Sequence, residues 1–452
     1  MHAATLFAAL SAVGLGWALA VGDLTYRYVA SWASSGTPLP YRIGAIWAGP
    51  SGALLVWAVA LGLGASVGAA TLRRGSALRA WTVALLALLL LAVLAMACLD
   101  TNPFTRLPFP PDDGRGLPLE WMRPVALLQM PVGYAAMALL AVPSVMTVMG
   151  ALGRERWRAD ARRWAQVSWA FALLAMLLDW RRRYGDAAWA TDWQWAPVHA
   201  GTAFAWAGAS LLVLATRRAW RTEAAVIAGF AAFTLGLVGI TLRRAAGWAG
   251  VHDVAATGTG RAVAWVALLL VAAFAVEGLL RTRTAGGVRA RALRVVHAAS
   301  LVATAALLAS GFVRTAEVAL REGGRAAVAD RFGTAWTLSL EGVSTVGREA
   351  VVANVVAVRA AVKGRARAFV AAEVRSLYAA DGRGPVDQVE VSGLSADLAQ
   401  DLRIDVREAN TADAILTVRF IPGVTWLWLA GLAAAIAAFA AAFAAPPATE
   451  DA

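Results

Sequence analysis

The chain has 452 residues, 60% of them hydrophobic and 15% charged, with mean hydropathy +0.61. A water-soluble protein carries roughly a quarter charged residues, so this composition excludes an ordinary soluble domain and makes lipid the expected solvent. The formal charge of +12 and pI near 11.0 would suit nucleic acid, but the arginines sit in short clusters between apolar runs, as in a membrane protein, and nucleic-acid binding is set aside.

Runs apolar enough to cross about 30 Å of hydrocarbon, roughly 20 residues each, lie at 1–22, 51–72, 80–99, 124–152, 164–180, 197–216, 223–243, 262–280, 295–313 and 423–445. They predict an all-α polytopic membrane protein with about ten transmembrane helices. Alternate loops carry Arg73, Arg74 and Arg79, then Arg154 to Arg163, then Arg217, Arg218 and Arg221, then Arg281 to Arg294. The positive-inside rule makes these loops cytoplasmic, with both termini, in a protein of the cytoplasmic membrane. The loops 23–50, 99–123, 181–196 and 244–261 then face outward with the segment 314–421. In that segment Ala335-Trp336-Thr337-Leu338-Ser339-Leu340 and Ala414-Ile415-Leu416-Thr417-Val418-Arg419-Phe420 alternate with period two. The pattern predicts a small β-rich extracytoplasmic domain of short antiparallel strands before the last helix. The expected division is 1–313 for the membrane domain, 314–421 for the β-rich domain and 422–452 for the last helix and tail.

The stretch from Trp180 to Trp206 holds five tryptophans between two apolar runs, with Arg181, Arg182 and Arg183 at its front edge. Indole is large and flat with one N–H donor, so a cluster at a membrane face is either an anchoring aromatic belt or a platform for a planar ligand. Of the four histidines, His199 closes the stretch, His252 lies in an outward loop, His297 enters an apolar run and His2 sits at the terminus. Imidazole there is either a metal ligand or an interfacial hydrogen-bonding group. Haem answers to both features, with flat apolar faces, carboxylates at one edge and an iron axis that takes imidazole. Indoles would pack on the porphyrin, and arginines such as Arg182 or Arg244 could meet the propionates. The lone Cys98 excludes an internal disulfide and a Cys-x-x-Cys redox pair.

At these residues the chain resembles the cytochrome c maturation haem lyases of the CcmF/CcsA type, membrane proteins that handle haem on a tryptophan-rich WWD loop. The family pattern Trp-Gly-Gly-x-Trp-x-Trp-Asp-Pro-Val-Glu-Asn aligns without a gap on 189–200, keeping Trp189, Trp193, Trp195, Pro197 and Val198. Similar loops include Leu39-Pro40-Tyr41-Arg42-Ile43, Trp47-Ala48-Gly49-Pro50-Ser51-Gly52, Asn102-Pro103-Phe104 and Asp113-Gly114-Arg115-Gly116-Leu117. The stretch from Phe233 through Arg244 to His252 is similar to the loop of an external haem-ligand histidine, and Val296-His297-Ala298 to the site of a transmembrane one. The run 1–22 is read as a retained helix, because the resemblance begins directly after it.

The resemblance implies b-type haem held on the outer face of the membrane for covalent attachment to apocytochrome c. It implies His252 and His297 as iron ligands, and Trp189, Trp193, Trp195, Pro197, His199 and Arg244 around the porphyrin. A haem chaperone and other maturation subunits would be further partners. The chain also departs from the family: Ala196 replaces the motif aspartate, His199-Ala200 replaces Glu-Asn, Gln129 stands at an external ligand position and Leu214 near a transmembrane one. A non-catalytic scaffold or haem-relay subunit is therefore the alternative expectation.

Overall fold

The computed structural model describes residues 1–99, 102–153, 156–185, 197–217, 220–244, 258–348, 351–378, 385–410 and 412–444. In chain order the helices are α1 (His2–Val21), the short α2 (Arg27–Trp32) and α3 (Leu39–Gly44), then α4 (Pro50–Thr71), α5 (Ala77–Leu99) and α6 (Pro124–Gly153). There follow α7 (Arg158–Tyr184), α8 (Pro197–Ala215), α9 (Thr222–Arg244), α10 (Gly258–Thr282), α11 (Gly287–Ser310) and, after nine strands, α12 (Val424–Phe443). Every apolar run expected to span the membrane is a helix. Among the described residues six helices, α1, α4, α5, α6, α11 and α12, are long and apolar enough to cross a membrane by themselves. α7 carries Arg158, Asp160 and three arginines in its terminal turns and packs among the others.

Two expectations need correction. The run 164–180 grows into a helix over Arg158–Tyr184, so Arg181, Arg182 and Arg183 form its last turn instead of opening a loop. Cations at a helix C-terminus offset the exposed carbonyls, which favours that extension. The loop 23–50 also holds two short helices and the 3-10 turn Ala45–Trp47, organised by Tyr28. The Tyr28 hydroxyl donates toward the Ala45 and Ile46 carbonyls at 3.0 and 2.9 Å and accepts from the Gly49 N–H at 3.0 Å. Gly52 sits so close that a Cβ would lie 1.8 Å from the Ile46 carbonyl oxygen, which gives the Gly-Pro-Ser-Gly turn a packing reason. The loop 99–123 is stapled onto it: the Arg27 N–H donates to the Thr105 carbonyl at 2.8 Å and the Leu107 N–H to the Thr25 carbonyl at 2.7 Å.

The strands are β1 (Arg314–Arg321), β2 (Arg325–Ala329), β3 (Ala335–Arg348), β4 (Val351–Val362), β5 (Arg365–Tyr378), β6 (Pro385–Val391), β7 (Gly393–Ser395), β8 (Gln400–Ala409) and β9 (Asp413–Pro422). They form two sheets, ordered β1-β9-β8-β7 and β2-β3-β4-β5-β6, with antiparallel pairing. Strands β3 and β5 reach 14 residues, longer than the short strands expected. Between β4 and β5 the two-residue turn Lys363-Gly364 has φ of 49° and 74°, the positive pair that matches strand twist in a tight hairpin. Leu338, Leu340, Val356 and Val358 from one sheet and Ile404, Leu416, Val418 and Phe420 from the other close a common core.

This β-rich part rests on one end of the helical bundle. Tyr184 packs with Ile421 and Val424, and Val351, Leu377 and Val389 join the cluster that holds Leu119 and Trp121. The Ser392 N–H donates to the Gly185 carbonyl at 3.1 Å. Apolar alternation explains the sandwich; its seat on the bundle depends on these few tertiary contacts.

Candidate functional site

The predicted residues divide by where they fall. Trp189, Trp193, Trp195 and His252 lie outside the described residues. Pro197 opens α8, where its fixed φ and missing N–H suit a first helical position, and His199 follows in the same turn; Arg244 ends α9. The side chains of Pro197, His199 and Arg244 lie outside the described residues. The tryptophan-rich loop thus leaves α7 after Gly185 and enters α8 at Pro197, both at the end of the bundle that carries the sheets.

His297 is described, half-buried on α11. A Cβ on Gly278 of α10 would lie 2.2 Å from its Nε2, 2.3 Å from Cε1 and 2.5 Å from Cδ2. Three near-equal distances put the glycine over the ring face, leaving the nitrogen edges pointing elsewhere. The imidazole makes no hydrogen bond among the described residues, and it stands beside Arg217 and Glu277, which lie 3.5 Å apart as an ion pair; Arg281 also reaches Glu277. Thirteen residues of helix, about 20 Å, separate His297 from the sheet end of α11. The structure therefore does not bring His297 to the level of the helix ends at Tyr184 and Pro197.

Between the two levels runs an apolar cleft of about 130 Å³, bounded by α7, α8, α10, α11 and α12. Trp169, Trp180 and Trp206 line it, as do Val271 of α10 and Ser300 and Thr304 of α11. Val271 and Gly278 are seven apart, and His297, Ser300 and Thr304 have i, i+3, i+7 spacing, so the cleft and the imidazole share helix faces. The Trp206 Nε1 is buried without a hydrogen-bond partner. Flat apolar walls, an orphaned indole N–H and an imidazole held by a glycine suit the edge of a planar ligand with an iron axis, and at about 130 Å³ the cleft takes part of a macrocycle and not the whole.

Sequence reasoning missed the acid at the top of the bundle. Gln129 of α6 is fully buried, and its Nε2 donates to the Asp179 carboxylate of α7 at 3.0 Å. Asp179 also lies 3.7 Å from the Arg183 Nε. An acid inside an apolar run was the available signal. Gln129 is thus engaged within the helix pair. Among the described residues no group of three or more His, Cys, Asp or Glu side chains could hold a metal.

At the sheet interface Asp401 accepts from the Tyr184 hydroxyl at 3.1 Å, the Thr425 hydroxyl at 2.9 Å and the Asp397 N–H at 3.3 Å. Burial pushes its carboxyl above the ordinary range, only partly offset by those donors. In the loops, burial would raise Asp113 as well, but donors from Ser35, Gly114 and Ser34 outweigh it and hold that carboxyl below the usual range.

No family model matches the chain. It is 29% identical over 253 residues to a cytochrome c-type biogenesis protein CcmF of Pseudomonas aeruginosa, a match covering 53% of this chain and 38% of that protein. It is 28% identical over 269 residues to a cytochrome c-type biogenesis protein NrfE of Haemophilus influenzae, covering 56% and 41%. CcmF of Escherichia coli is 26% identical over 247 residues, covering 53% and 38%. The matched stretch thus spans about two fifths of the length of these curated relatives. A solved structure of the cytochrome c haem lyase CcmF superposes with a TM-score of 0.63 at 18% identity, covering 97% of this chain and 90% of that one, which makes the fold CcmF-like.

Proposed function

We propose that this chain, a divergent member of the cytochrome c maturation haem lyase family, acts in c-type cytochrome biogenesis by holding haem for attachment to apocytochrome c. The observation that carries the reading is His297: an imidazole at membrane depth, cradled by Gly278, with no hydrogen bond among the described residues and a tryptophan-lined cleft on the same helix faces. In this reading His297 would supply an axial nitrogen to haem within the bundle, and Trp189, Trp193 and Trp195, with Pro197, His199, His252 and Arg244, would separately hold a b-type porphyrin at the outer face. Bound haem would supply vinyl groups for the thiols of an apocytochrome. The residues of this chain orient and shield; the reactive thiols come from the partner, in keeping with the lone Cys98. The orientation of the sequence reading applies, with both termini in the cytoplasm and the sheets outside, where a haem chaperone and other maturation subunits would dock.

One observation favours the second reading, a scaffold or haem-relay subunit. Gln129 stands at an external ligand position of the family and is tied to Asp179 instead. Protein purified in detergent from haem-replete cells separates the two. Haem binding predicts a Soret band lost in His297→Ala or His252→Ala while the fold persists. Complementation adds the functional test: a deletion strain should regain c-type cytochromes with the wild-type chain and not with a Trp193→Ala/Trp195→Ala form. Rescue by that form, with no Soret band in the wild type, would leave the scaffold.

A further inference from the structure

We propose that the β-rich part, where it adjoins α11 and α12, rests on the bilayer surface and binds the phosphates of anionic lipids in the leaflet at that end of the bundle. Both helices are long and apolar enough to cross a membrane. They meet where α11 gives way to β1 and β9 leads into α12: a Cβ on Gly423 would lie 3.1 Å from the Ala306 carbonyl oxygen and from the Ala309 Cβ. Four large apolar side chains stand exposed around that point, Phe312 at 60%, Phe332 at 67%, Leu398 at 55% and Trp426 at 45%. Contacts fix their level. The Arg331 guanidinium lies over the Phe312 ring at 4.5 Å and its Nη1 donates to the Phe312 carbonyl at 3.2 Å, which seats the turn between β2 and β3 just beyond the end of α11. The Gly423 N–H donates to the Ala399 carbonyl at 3.4 Å, so the loop of Leu398 sits at the first turn of α12. Trp428 packs against Tyr184, and two residues turn a helix by about 200°, so Trp426 points away from the bundle. Asp330 is buried and accepts from the Phe332 and Thr334 N–H groups at 2.8 and 2.9 Å, so Phe332 is presented on a fixed turn. Arg314, Arg331 and Lys363 are exposed at this end: Arg314 opens β1, and Lys363 follows Val362, the partner of Trp336. Against them stands Asp397, exposed beside Leu398. Water alone penalises bare apolar side chains gathered at a helix exit. Rings at headgroup level, with arginine and lysine reaching phosphate, satisfy both the apolar and the charged half of this surface.

The test uses the full chain in nanodiscs of phosphatidylcholine, with or without added phosphatidylglycerol, read by hydrogen exchange and mass spectrometry. Exchange in 331–334 should be slower in the anionic discs, about fivefold for each cation engaged, and the difference should shrink at high salt. Arg331→Gln also removes the Phe312 contact, so Arg314→Gln/Lys363→Gln is the separating variant. It should lose most of the lipid effect while exchange in β8 and β9 stays at the wild-type rate. Phe332→Ser should speed exchange of the turn in both kinds of disc. Equal exchange by wild type in the two lipids would overturn the proposal, as would a lipid effect undiminished in the double variant. Equal slowing by inorganic phosphate added to phosphatidylcholine discs would show a site for free anions and would overturn the lipid assignment.

Discussion

Two residues of the helical part make contacts that apolar packing alone would not supply. Gly278 leaves room for the His297 imidazole, and a methyl group there would sit 2.2 Å from Nε2. Gly278→Ala should therefore displace the ring, costing about 1–3 kcal/mol of stability by overpacking and removing any haem absorbance that depends on His297. Unfolding curves and spectra of the same preparation check both. Gln129 is the other: its amide is the buried partner of a carboxylate 50 residues away. Gln129→Leu removes one of the donors to Asp179 and should cost about 1.5–3 kcal/mol, the range for hydrogen bonds to charged groups, measured by denaturant or thermal melts. Gln129→Glu should cost more, because it sets two acids together.

At the scale of elements, the arginines of the alternate loops bind helix ends. Arg158 at the start of α7 donates from Nη1 to the Ala215 and Arg217 carbonyls at 3.2 and 2.9 Å and from Nη2 to the Trp220 carbonyl at 2.9 Å. Arg162 adds a bond to the Thr216 carbonyl at 2.8 Å, and Arg294 reaches the Thr282 and Ala285 carbonyls beyond α10. These forks satisfy carbonyls that a helix end leaves open. Arg158→Lys keeps the charge but loses the fork, and should lower stability by about 1–2 kcal/mol, with faster hydrogen exchange in 216–221. The loops 23–50 and 99–123 hold together through Asp113, which accepts from the Ser35 N–H and hydroxyl at 2.9 and 2.8 Å and from the Gly114 N–H at 2.8 Å. Its carboxyl is held below the ordinary range, so its contribution is present above about pH 4 and is lost as pH falls through the lowered value. Exchange at the Ser35 and Arg115 amides should accelerate in that acid window, and Asp113→Asn should remove the pH dependence.

Over the whole molecule the decisive joint is the one between the sheets and the bundle. Tyr184, Gly185, Ser392, Asp401 and Thr425 meet there, directly before the tryptophan-rich loop begins. The end of α7 is therefore tied to the seat of the β-rich part. Tyr184→Phe leaves Asp401 with the Thr425 and Asp397 donors among the described residues, and should cost about 0.5–1.5 kcal/mol while raising protease sensitivity near 186–196 more than elsewhere. Limited proteolysis with mass spectrometry reads the difference. Because the Asp401 carboxyl is raised by burial, its contribution is full at acid pH and fades as pH rises through the raised value. The joint should loosen in that direction, and Asp401→Asn should flatten the trend.

The amino-acid order by itself determined the membrane helices, because each buries its backbone hydrogen bonds internally and needs only a long apolar run to be legible. It also determined the β-rich stretch before the last helix, whose period-two alternation survives any arrangement of neighbours, and the likeness of the loops to haem-handling proteins. The helical last turn at Arg181 to Arg183 was not legible, since charge alone suits a loop as well as a helix end. Only the tertiary structure decided that Gln129 faces Asp179, that Gly278 cradles His297 and that Ser392 binds Gly185. Each joins residues far apart in the chain, where local pattern carries no information and packing of one helix or sheet on another selects the partner.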